Sequence, residues 1–129
     1  MRRSYNRSKE STLSTVIIEA YKFGYIRVDG VEYDRDVVIF PDRVSPEWWR
    51  DEGHNLSLND LTEVLEYGPE VLVVGTGAHG VMKVPQTVAK ELQTRGIELR
   101  AAKTSEAVET FNELLAAGRR VVAALHLTC

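Results

Sequence analysis

The sequence predicts an α/β domain, on three observations. Short apolar runs alternate along the chain with longer stretches whose apolar residues recur at helical spacing. One of the runs, Val37-Val38-Ile39-Phe40, is apolar on both faces, as a covered central strand requires. Finally, Asp29-Gly30 sits between Val28 and Val31, and Asp-Gly supplies the positive φ values of a two-residue hairpin turn. Together they give a largely parallel sheet flanked by helices, with an antiparallel hairpin added near the N-terminus.

The elements follow in order. Residues 1–12 (MRRSYNRSKEST) are polar and basic without apolar period and read as a solvated tail, leaving residues 13–129 as a single domain. Val16 to Ala20 and Tyr25 to Val28 read as strands broken by Lys22-Phe23-Gly24, and Val37 to Phe40 is a strand stopped by Pro41. Ser57 caps a helix, with Asp60 three residues on and Leu58, Leu61 and Leu65 on one face, ending at Gly68. Val71 to Val74 is a buried strand that enters the turn Gly75-Thr76-Gly77. Pro85 opens a helix to about Thr94, and Gly96 closes it. Ile97 to Ala101 is a strand. The clearest helix starts at Thr104 or Ser105, carries Ala107, Val108, Phe111, Leu114 and Leu115 on one face, and stops at Gly118. Val121 to Leu127 is the last strand.

Composition narrows the function classes. Sixteen Lys and Arg against 19 Asp and Glu leave a net charge of −3, so no overall positive field draws the chain to nucleic acid or an anionic membrane. No stretch approaches the roughly 18 apolar residues of a membrane span. A single cysteine, Cys129, makes no internal disulfide, which suits a cytoplasmic protein.

Ligands in open α/β sheets bind beyond the carboxyl ends of the strands. If the strands run parallel, Arg43 after the strand ending at Phe40, Gly75, Thr76 and Gly77 after Val74, and Lys103 and Thr104 after Ala102 gather on one edge. Two cations, two hydroxyls and free glycine N–H groups there suit a carboxylate or phosphate. His54 in the loop beyond is a candidate general base, and Trp49 a pocket wall or a lid over the sheet end. The same groups also read as ordinary turn glycines, a helix cap and surface charge.

Other motifs are weaker. Gly75-Thr76-Gly77-Ala78-His79-Gly80 matches G-x-G-x-x-G after a strand, but Val81 to Val84 separate it from any helix, so no dinucleotide cofactor is expected. His126 and Cys129 are the nearest approach to paired metal ligands and complete neither a zinc set nor a nucleophile pair, so no metal is expected either. Glu106, Glu109 and Glu113 form the solvated face of the last helix.

Several pieces, in order, resemble the Mth938-domain family: Asp36 through Pro41, Trp49-Arg50 followed by His54, Leu72 through Gly77, Val84-Pro85, Gly96-Ile97, Thr104 with Ala107, Asn112, Arg120-Val121, and the ending His126-Leu127-Thr128-Cys129. The resemblance implies a three-layer fold with a mixed central sheet whose last strand is antiparallel to its neighbours. It implies no established reaction, and one member of the family assembles respiratory complex I through protein partners. Two functional expectations follow. The first is a non-enzymatic binding or assembly-helper module with a protein partner and no cofactor. The second is an enzyme or sensor that takes a small anionic ligand at the strand-end edge.

Overall fold

The computed structural model describes residues 16–129; the expected basic tail lies outside them. The chain first forms a small antiparallel meander, β1 (Ile18–Lys22), β2 (Tyr25–Val28) and β3 (Val31–Tyr33). Asp29 and Gly30 make its second turn, with φ of 49° and 79°, as the Asp-Gly pair predicts. The expected hairpin is therefore two of three strands in a separate sheet.

The main sheet contains β4 (Val37–Phe40), β5 (Arg43–Ser45), β6 (Val71–Thr76), β7 (Glu98–Ala102) and β8 (Val121–His126), in the order β5-β4-β8-β6-β7. β6 runs parallel to both β7 and β8, whereas β4 is antiparallel to β8 and β5. The mixed sheet is as the family resemblance implies. The reversed strand differs: β8 is parallel to β6, and it is β4 that runs backwards, with Val37 opposite Leu125 and Ile39 opposite Ala123.

Alternation along the central strands feeds two cores. Val37, Ile39, Val71, Val73, Val121, Ala123 and Leu125 face one side, where Ala107 and Phe111 of α3 (Thr104–Ala116) and Ile18, Ile26 and Val28 of the meander cover them. Val38, Phe40, Leu72, Val74, Val122 and Ala124 face the other. Leu61 and Val64, from a 3₁₀ turn (Leu58–Leu61) continued as α1 (Thr62–Tyr67), pack there with Val88 and Leu92 of α2 (Gln86–Thr94). A strand covered on both faces has no polar side to give, which is why β4, β6 and β8 read as unbroken apolar runs. The Asp60 carboxylate accepts a hydrogen bond from the Ser57 N–H (2.9 Å), fixing the start of the 3₁₀ turn, and Gly68 ends α1 at φ 72°.

Candidate functional site

β4 antiparallel to β8 decides which groups meet. Its amino end, not its carboxyl end, lies at the carboxyl edge of β6, β7 and β8. Asp36, just before β4, therefore faces His126, the last residue of β8. Arg50, from the irregular strap between β5 and the 3₁₀ turn, reaches both. Its Nη1 pairs with Asp36 Oδ2 at 2.8 Å and its Nη2 lies 3.1 Å from His126 Nδ1. His126 Nδ1 is 2.8 Å from Asp36 Oδ2, and the Leu127 N–H donates to Asp36 Oδ1 (2.8 Å). The three side chains are only 5% (Arg50), 16% (Asp36) and 7% (His126) exposed.

Burial pushes the Asp36 carboxyl up. Hydrogen bonds from His126, the Leu127 amide and Arg50 outweigh burial and hold it below the usual carboxylate range. With Asp36 ionised, its Oδ2 accepts from His126 Nδ1–H, while the buried Nε2 has no hydrogen-bond partner. Arg50 Nη2 and Nε then donate to the Gly53 carbonyl at 2.9 and 3.1 Å. The result is an internally neutralised ion pair with an oriented imidazole, fastening the strap to the sheet.

The strap forms the wall of a cleft of about 370 Å³, with Trp48, Trp49 and Arg50 on one side and Asp34, Asp36 and Thr128 among the residues opposite. Trp48 is anchored: its indole N–H donates to the Asp60 carbonyl (2.9 Å), and the Arg50 guanidinium lies 4.7 Å over its ring. Trp49 is 71% exposed. Adjacent tryptophans thus divide into a fixed ring and an open one.

The strand-end groups expected from sequence separate. Gly75, Thr76, Gly77, Lys103 and Thr104 do share one edge, through parallel β6 and β7. Arg43 does not join them, because it opens β5 at the far end of antiparallel β4, about 13 Å of strand away. There its guanidinium lies 4.0 Å over the Phe40 ring and pairs with Asp42 and Glu63. The glycine-turn N–H groups are also already used. Gly77 donates to Thr104 Oγ1 (2.9 Å), Ala78 to the Thr128 carbonyl (2.6 Å), and His79 and Val81 to the Cys129 carbonyl. Thr104 Oγ1 in turn donates to the His126 carbonyl (2.6 Å), and Thr76 Oγ1 to the Ala102 carbonyl (3.0 Å). The turn ties the sheet to the last residues of the chain and leaves no nest of amides for an anion. Lys103 is exposed and runs beside Gly80. His54 is exposed too, its ring edge-on to His126 with centroids 5.7 Å apart.

Spacing alone does not single out Asp36, Arg50 and His126 as site residues, since Arg50 and His126 are 76 residues apart in sequence. The available signals are a carboxylate placed directly before a doubly apolar strand and a histidine closing another. Among the described residues no group of three or more His, Cys, Asp or Glu is arranged to hold a metal ion. Nor is any helix among them long and apolar enough to cross a membrane.

Comparison with known proteins places this architecture. Residues 18–126 match the family described as "Protein of unknown function (DUF498/DUF598)". The chain belongs to the DUF498/DUF598 family. Solved structures agree. The chain is similar to the conserved hypothetical protein PH1505 from Pyrococcus horikoshii OT3, with 30% identity and a TM-score of 0.78 over 87% of this chain and 98% of that one. It is also similar to an outer membrane protein from Bartonella henselae, with 28% identity and a TM-score of 0.77 over 90% and 98%. At 24% identity, a Mth938-like domain from Bordetella pertussis shares the fold with a TM-score of 0.73 over 98% and 92%. The expected Mth938-type fold is thus the fold of this DUF498/DUF598 chain.

Proposed function

We propose that this protein is a cytoplasmic, non-enzymatic binding module of the assembly-helper kind, and that it holds a protein partner in the cleft beside Trp49. The carrying observation is the contrast across the strap. The Asp36 and Arg50 charges in the cleft wall neutralise each other, while the Trp49 indole on the same strap stands open to solvent. Parting such a buried pair leaves an uncompensated charge, which ties the strap to the end of the sheet. An exposed tryptophan at a concave site is the residue type that anchors protein interfaces.

The test is affinity capture from the native cell with three baits: the wild type, Trp49→Ala, and the pair Arg43→Ala with Lys103→Ala. A partner held by the wild type and the double variant but lost from Trp49→Ala supports the module. A partner indifferent to Trp49 and lost from the double variant would move recognition to the cationic groups and overturn it.

A further inference from the structure

Resting on that reading of the cleft, we infer that the partner inserts a cationic side chain, lysine or arginine, between Trp49 and Glu47. Two observations carry the inference. First, the 370 Å³ cleft continues into a second of about 110 Å³, and the two share Asp34, Arg35 and Glu47. Four carboxylates line them (Glu32, Asp34, Asp36 and Glu47) against two guanidiniums (Arg35 and Arg50). Second, Arg50 is taken up by Asp36 and the Gly53 carbonyl, Arg35 lies 4.0 Å from Asp34 in a solvent-exposed pair, and Glu32 accepts from the Tyr25 hydroxyl (3.0 Å). Among the described residues Glu47 has no salt bridge.

The neighbouring tryptophan shows the chemistry at work. The Arg50 guanidinium lies 4.7 Å over the ring of Trp48, a cation on an aromatic face within the same cleft wall. Trp49, 71% exposed, lines the same cleft as Glu47, so the cleft offers a cation both an open indole and a carboxylate. An acidic or phosphorylated partner would meet the wrong sign of charge here.

A library of random 12-residue peptides displayed on phage and selected on the full-length protein tests this. Peptides with Lys or Arg beside an apolar residue should dominate. Synthetic versions should bind about tenfold more weakly to Glu47→Gln or Trp49→Ala, and more weakly at 0.5 M than at 0.05 M salt. Enriched peptides that need Trp49 but carry no cation would overturn the inference and leave the docking cleft standing. Peptides that bind Trp49→Ala as well as the wild type, or no enrichment at all, would overturn both. Enrichment confined to a full-length variant with Arg2, Arg3, Arg7 and Lys9 changed to Ser would assign the cleft to this chain's own basic segment and overturn the partner.

Discussion

One carboxylate, Asp36, joins the amino end of β4, the strap and the end of β8. Asp36→Asn leaves the Arg50 charge buried and unpaired, a change that costs about 3 kcal/mol in comparable sites, measurable by urea denaturation. The pH dependence follows from the direction of the shift. The Asp36 carboxyl is held below its ordinary range, so its contribution is fully present above the unfolded carboxylate pKa, near 4. It is lost as pH falls through the folded value. Stability of the wild type should therefore decline on acidification below about pH 4 more steeply than that of Asp36→Asn, and parallel slopes would contradict this. Trp49→Ala belongs to the other class: with the ring 71% exposed, unfolding stability should stay within about 0.5 kcal/mol of wild type, so any lost binding is not lost folding.

At the scale of elements, two substitutions separate packing from backbone geometry. Phe111, fully buried beneath the sheet, should cost about 3–5 kcal/mol on change to Ala. Gly77 has φ 108°, and a Cβ there would collide with the Cys129 and Thr128 carbonyls. Gly77→Ala should loosen Thr128 and Cys129, the residues that follow β8, visible as faster amide exchange at Ala78, His79 and Val81, while β4 stays protected. Most elements are legible in the sequence because each rests on a local rule. Pro85 and Gly96 bracket α2, the face Ala107, Val108, Phe111, Leu114 and Leu115 defines α3, and Asp29-Gly30 turns the meander. Strand direction is not legible, because a run apolar on both faces fits parallel and antiparallel neighbours alike. That single ambiguity puts Arg43 at the wrong edge and leaves Asp36 out of the expected site. The amides after Gly75 look free in the sequence for a similar reason: the partners that occupy them, Thr104, Thr128 and Cys129, lie 27 or more residues further along the chain.

Across the whole molecule, net charge and local charge act at different ranges. The chain carries −3 overall, and the proposed cationic partner would be steered by the acidic lining of the cleft. Association should therefore slow with added salt more than dissociation quickens, a difference stopped-flow measurement of tryptophan fluorescence would resolve. The strand order β5-β4-β8-β6-β7 has a further consequence, for how the molecule comes together in time. The seam between its antiparallel and parallel parts is β8, the last strand in chain order. Until β8 docks, β4 and β6 each present an unpaired apolar edge, and neither core cluster can close. Pairings over such long sequence separations make for slow folding, and open edges held that long invite association with other chains. During synthesis β4 and β6 keep these edges open until β8 has emerged, so that interval is the one in which association with other chains is most favoured.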